Sequence, residues 1–335
     1  MAASAYSLAS AAGFDYSGIN GPFTAHGETS PALMIASPKR QISPVVISTA
    51  LGHDGRGIFP YTLLPGYSRL LAAVQATGTS VFTKSATRFK RRGNFIPANP
   101  LTWRYIRRLP GLGMLNAYGL TNAGVEVCAP DMRRAGDEGF RIIPNIYPEF
   151  IKGTSIAIRE TLEAVEICRL SLGPHFQALE LNFSCPNSEE AITKNVIQGL
   201  QTTRKVRSLY PRLFLIAKLS VCHPYEFAQE LERIGVNALH AVNTIPYNIV
   251  FPLQRSPLNA VSGGGVSGGP AFPLAFSYNE ELRRKVHLFL IMGCGVTGAD
   301  DVRRYFDLGA DAVSLCTLAL RKPQEAAGIV LRFNG

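Results

Sequence analysis

The feature that most constrains this chain is a rhythm of short, β-branched apolar runs separated by longer stretches with helical spacing. Eight such runs occur, at residues 44–48, 80–85, 142–147, 178–184, 213–219, 238–244, 288–293 and 311–316. Apolar runs of this length suit strands buried on both faces, as parallel strands with crossover helices are. Between them, residues 150–172 carry Ile156, Ile158, Leu162, Val165 and Leu170 on helical spacing, and 224–234, 280–286 and 300–308 read similarly. No repeat or low-complexity linker divides the chain. Eight alternating units without a linker predict an α/β fold, a single (β/α)8 TIM barrel over residues 40–335, with residues 1–39 as a lead segment packing on it. Two connections are long, 86–141 after the second strand and 245–279 after the sixth. Unstructured connections of that size are expected to be lids or binding loops.

Composition narrows the class. A 46% hydrophobic share with 17% charged residues in 335 is enough to fill a large core and excludes wholesale disorder. No stretch reaches the roughly 18 uncharged apolar residues of a membrane-spanning helix, so membrane insertion is not expected. The six cysteines are scattered without a CxxC pair, and the six histidines show no HxH or HxxH spacing, so neither a disulfide framework nor a metal site is expected. The first fourteen residues contain no Arg or Lys, unlike a secretory or transit peptide, and a cytoplasmic location is the expectation.

The formal charge is +10, and eight bases (Lys84, Arg88, Lys90, Arg91, Arg92, Arg104, Arg107 and Arg108) fall within 25 residues. This is either a solvated basic face or an anion site. No aromatic ladder or DNA-reading helix accompanies it, so nucleic acid is not an expected partner.

A barrel builds its chemistry at the carboxyl ends of its strands. Those ends here carry Lys84, Asn145, Asn182, Lys218, Asn243 and Thr317. A strand-end Asn alone is a routine turn former, whereas a lysine following an apolar run needs an anionic partner. Glycines cluster at 262–270 and at Gly293, Gly295 and Gly298, where backbone amides could approach a phosphate. The segment LELNFSCPNSEE (179–190) puts Asn182, Ser184, Cys185 and Asn187 just past a buried strand. Cys185 is there either as inert packing or as a reactive thiol. His175 precedes that strand and belongs at the other end of the barrel, which argues against a Cys/His hydrolytic pair.

From about Pro44 to Leu320 these residues resemble the dihydroorotate dehydrogenase family of FMN-dependent (β/α)8 enzymes. The landmarks are PVVISTA (44–50), TKSATRFKRRGN (83–94), LNAYGLTN (115–122), NFSCPN (182–187), AKL (217–219), VNT (242–244), GGVSGG (264–269) and GADAVSLCTLAL (309–320). The resemblance implies that Cys185 is the base that removes the C5 proton of dihydroorotate while C6 gives hydride to FMN. It implies substrate contacts from Lys84, Asn116, Gly119, Leu120, Asn182, Asn187, Asn243 and Thr244. It implies FMN contacts from Ser48, Ala50, Lys84, Ser85, Asn145, Lys218, Val242, Gly268, Gly293, Gly295 and Thr317. Cys185 and Lys84 side with the soluble class of the family, for which a homodimer is expected.

Departures from the family pattern are Met292-Gly293-Cys294-Gly295 in place of a G-x-G-G run, Cys316 in place of a glycine, and a longer 245–261 loop. They keep two alternatives open: a related FMN enzyme acting on another dihydropyrimidine-like ring, or a phosphate-binding barrel without redox chemistry. The final electron acceptor (fumarate, NAD through an iron–sulfur flavoprotein, or a quinone) is not written in the residues.

Overall fold

The computed structural model describes residues 41–57, 65–184 and 195–335. The proposed lead segment 1–39, Cys185 and Asn187 lie outside the described residues. The chain runs β1 (Val45–Ser48), α1 (Pro65–Ala76), β2 (Ser80–Phe82), the hairpin β3 (Ile106–Leu109) and β4 (Gly113–Asn116), then α2 (Val125–Asp137). It continues through β5 (Arg141–Ile143), β6 (Asn145–Ile146), α3 (Thr154–Leu172), β7 (Ala178–Asn182), α4 (Val196–Leu209), β8 (Phe214–Leu219) and α5 (Tyr225–Ile234). Then come β9 (Ala238–Ala241), β10 (Ile245–Pro246), α6 (Tyr247–Val250), β11 (Gly265–Ser267) and α7 (Phe272–Lys285). The last elements are β12 (Phe289–Gly293), α8 (Ala299–Asp307), β13 (Ala312–Leu315), α9 (Thr317–Arg321) and α10 (Pro323–Asn334). Among the described residues no helix is long and apolar enough to cross a membrane.

Nine parallel segments form one sheet in the order β5-β2-β1-β13-β12-β9-β8-β7-β6. Its two ends, β5 and β6, are halves of a single strand split at Pro144. Proline has no N–H to give the ladder, so the pairing breaks there. The Pro144 carbonyl still accepts from Glu180 N at 2.9 Å, and β6 pairs with β7 while β5 pairs with β2. The sheet therefore closes into an eight-stave barrel, with each of the eight sequence runs supplying one stave. At the seam of first and last elements, Asn334 on α10 both accepts from Val45 N and donates to Val45 O, at 2.8 Å each.

Side-chain parity explains where the site lies. The barrel floor is a buried apolar layer that includes Val46, Phe82, Ile143, Ala178, Phe214, Ile216, Ala238, Phe289, Ile291 and Ala312. Side chains alternate faces along a strand, so residues two further on share the inward face. Those positions are Ser48, Lys84, Asn145, Glu180 then Asn182, Lys218, His240 then Val242, Gly293, and Ser314 then Cys316. The interior thus changes from apolar at the amino ends to polar at the carboxyl ends.

The long connections are not unstructured. Residues 86–141 contain the β3–β4 hairpin and α2, and residues 245–279 contain β10, α6, β11 and part of α7. β11 pairs with β4, so the two connections jointly build a four-stranded antiparallel sheet, β10-β11-β4-β3. Arg321 on α9 fastens this cap to the barrel by donating to the Gly113 carbonyl at 2.9 Å.

Glycine is required where the two connections meet. Gly268 has φ +76°, and a Cβ there would lie 2.2 Å from the Leu112 carbonyl oxygen. We expect Gly268→Ala to cost about 2–4 kcal/mol, combining overpacking with a left-handed backbone. A thermal melt should show an apparent midpoint lowered by about 5 °C or more. An unchanged midpoint would mean that the cap shifts freely.

Candidate active site

The carboxyl ends of the staves open under the cap sheet into a cleft with an empty volume of about 1080 Å³ measured to its open mouth. Of the residues singled out from the sequence, Ser48, Lys84, Ser85, Asn116, Leu120, Asn182, Lys218, Val242, Asn243, Thr244, Gly295 and Thr317 line it. No carboxylate is among the described lining residues, which carry two lysines, three carboxamides and several hydroxyls. Such a lining attracts an anionic ligand and offers both donors and acceptors to a polar ring.

Five further candidates lie next to the cleft, each held by a contact of its own. Ala50 is fully buried, and its carbonyl accepts from Tyr67 Oη at 3.2 Å. A Cβ on Gly119 would lie 2.8 Å from Asn94 N, and one on Gly293 would lie 2.8 Å from the Ser314 Cβ. Gly268 packs on Leu112, as described above. Asn145 gives its amide to Glu180. Several glycines read from sequence as phosphate contacts are also points of close packing: a Cβ on Gly295, too, would meet Phe272 Cα at 2.4 Å.

The lining is pre-organised. Asn182 donates to Ser85 Oγ at 2.9 Å and accepts from Ser184 N and Oγ at 3.0 and 2.9 Å. Asn243 donates to the Ser184 carbonyl at 2.9 Å, tying the end of β9 to the chain leaving β7. Thr317 Oγ1 and Ser267 Oγ lie 2.8 Å apart, joining α9 to the cap. The Lys84 ammonium sits 4.2 Å from the centre of the Tyr118 ring, a cation–π contact. Burial pushes the Tyr118 hydroxyl up to about 12.

Beneath the cleft, the inward layer contains a group that the strand-end reading passed over. Glu180 is completely buried. One of its oxygens meets His240 Nδ1 at 2.5 Å and the other accepts from Asn145 Nδ2. Burial by itself would raise the Glu180 pKa, but Lys218, His240 and Asn145 outweigh it and hold the carboxyl below the usual range. Burial and the Lys218 charge lower the His240 pKa against the opposing pull of Glu180, so the ring is neutral. His240 and Glu180 stand two residues before Val242 and Asn182 on the same strands, so alternation alone could have placed them.

The remaining titratable neighbours have settled states. His53 is kept neutral, its pKa lowered to about 4 by burial and the Lys84 charge. Cys294 and Cys316 both line the cleft. Burial drives the Cys294 thiol up to about 12 and raises Cys316 as well, so both are thiols at neutral pH. His175 lies ahead of β7 at the amino end of the barrel, where Nε2 meets Asp137 at 2.9 Å.

A (β/α)8 barrel whose carboxyl-end cleft carries two lysines and, among the described lining residues, no carboxylate has the electrostatics of an enzyme site suited to an anionic ligand. Residues 67–330 match the dihydroorotate dehydrogenase family, and the chain belongs to that family. It is an oxidoreductase acting on a CH–CH donor. Three similar proteins are each named "Dihydroorotate dehydrogenase B (NAD(+)), catalytic subunit". That of Oceanobacillus iheyensis is 31% identical over 75% of this chain and 78% of its own length. That of Halalkalibacterium halodurans is 31% identical over 65% and 70%. That of Anoxybacillus flavithermus is 28% identical over 80% and 87%.

Proposed function

We propose that this protein is an FMN-dependent dihydroorotate dehydrogenase that oxidises dihydroorotate to orotate in pyrimidine (UMP) synthesis. The observation that carries this is the cleft itself: two lysines and three carboxamides converge on it, and no described lining residue is a carboxylate. Those donors fit FMN. Lys218 and Lys84 would stand at the ring, and the hydroxyls of Thr317 and Ser267, with backbone amides around Gly295 and Thr317, would take the phosphate. When bound, FMN supplies a two-electron acceptor for the hydride from substrate C6.

The chain's own residues do the rest. Asn116, Asn182 and Asn243, with Asn187, offer carboxamides that match the alternating N–H and C=O groups of a pyrimidine-dione. The Lys218 ammonium favours negative charge developing beside it in a water-poor site. Cys185 takes the C5 proton as general base. NAD, reached through a partner subunit, is the acceptor favoured by the relatives' printed names. A second reading, a related flavoenzyme with another dihydropyrimidine-like substrate, is favoured by Cys294 and Cys316 standing in the cleft where the family pattern has glycines.

The protein should purify yellow or take up about one FMN per chain, and dihydroorotate should bleach the bound flavin. No uptake at tens of micromolar FMN would remove the oxidoreductase chemistry proposed here. Uptake without bleaching by dihydroorotate would leave the second reading.

A further inference from the structure

The buried layer under the cleft contains three ionisable side chains on three neighbouring staves. Register pairs Lys218 on β8 with His240 on β9, and Asn145 on β6 with Glu180 on β7. Glu180 is 0% exposed, His240 1% and Lys218 5%. Burying such groups is costly, and packed apolar residues of similar volume would often be as stable or more so. The layers just below are filled in that apolar way. Stability alone therefore does not explain the ionisable layer.

The hydrogen bonds show how the layer is organised. Both Glu180 oxygens are occupied, one by His240 Nδ1 and the other by Asn145 Nδ2. Lys218 Nζ instead donates to Ser48 Oγ at 3.1 Å, and Ser48 itself lines the cleft. The ring of His240 also packs against Phe82, with centroids 5.1 Å apart. Glu180 is thus clamped at a fixed place from which its charge acts on Lys218 through space, where the low dielectric makes that action strong. Lys218 and His240 reach the cleft, whereas Glu180 lies beneath it.

We propose that Glu180, clamped by His240 and Asn145, is a positioning residue that partly offsets the positive charge Lys218 presents to the ring bound above it, and so sets the reduction potential of that ring. This rests on the flavin reading given under Proposed function. The ammonium favours the reduced, anionic ring, and the carboxylate tempers it. Removing the carboxylate charge with its shape kept therefore moves the potential upward.

The test is the midpoint potential of FMN bound to wild type and to Glu180→Gln, measured by equilibration with reference dyes at one pH, beside the FMN dissociation constant. Gln keeps an acceptor and a donor for His240 and Asn145. We expect the reduction equilibrium to shift about tenfold toward reduced flavin, about 30 mV for a two-electron couple. FMN affinity should stay within about threefold. In a Lys218→Met background the same Glu180→Gln change should shift the equilibrium less than twofold, because the charge it tempers is gone.

A yellow Glu180→Gln protein with the wild-type potential overturns the inference and leaves the flavin reading intact. A full tenfold shift that persists without Lys218 overturns it as well. A wild type that binds no FMN fails the flavin reading, and the inference falls with it. Should Glu180→Gln not fold, Glu180→Met serves instead: it removes the charge at similar side-chain length, and an unshifted potential there overturns the proposal too.

Discussion

Cys185→Ala is expected to slow flavin reduction by dihydroorotate about a hundredfold or more at neutral pH, with FMN and orotate still bound. Binding should survive because the carboxamides of Asn116, Asn182 and Asn243 and the ammonium groups of Lys84 and Lys218 stay in the cleft. What is lost is the proton acceptor. The cleft thiols of Cys294 and Cys316 cannot replace it, since burial holds both in the protonated state. Cys185→Ser should keep a residual activity that rises with pH, as a hydroxyl is a poorer base than a thiolate. The wild-type rate should climb through the thiol's own ionisation, at about pH 7–9. Rapid mixing with dihydroorotate at several pH values reads all three proteins. An alanine variant that bleaches at the wild-type rate would leave Cys185 without a catalytic role and move proton abstraction toward His240, which borders the cleft.

The barrel was legible because burial on both faces writes each stave as one unbroken apolar run, and all eight runs became staves. Lys84, Asn182, Lys218 and Asn243 were legible for the complementary reason, since a polar residue ending such a run has little use in a floor of apolar side chains. Glu180 and His240 were harder to see. They stand inside their runs, ALELN and ALHA, where a polar residue reads as an interruption until strand parity puts it on the inward face. The cap was hidden for another reason. Residues 106–116 and 245–267 each offer only short strands, and their pairing, Val266 with Leu115, joins positions about 150 apart in the chain, which no local pattern records. The close packing of Gly264 and Gly268 was hidden for the same reason: the backbone they press against, at Asn116 and Leu112, comes from the other connection.

Lys218→Met is expected to destabilise the protein by about 3–5 kcal/mol at neutral pH, because it strands the buried Glu180 carboxylate. The loss should depend on pH in a definite direction. In the wild type Glu180 is held below its ordinary value near 4.5, so its contribution to stability is present above that pH. That contribution is lost as pH falls through the lower folded value. Without the ammonium, burial is opposed only by His240 and Asn145, and the folded-state pKa rises. The folded variant then holds a proton that the unfolded chain has released, so its stability falls as pH rises from about 4.5. Across pH 4.5 to 7.5 the two stability curves should accordingly lie closest at pH 4.5 and separate toward neutrality. Urea unfolding at pH 4.5, 6 and 7.5 measures the gap directly. A gap of constant size would show that Glu180 does not sense Lys218, and the methionine's cost would then be one of packing. A gap that widens with pH, and whose widening disappears when Glu180→Gln is added to the variant, identifies the carboxylate as the group left behind.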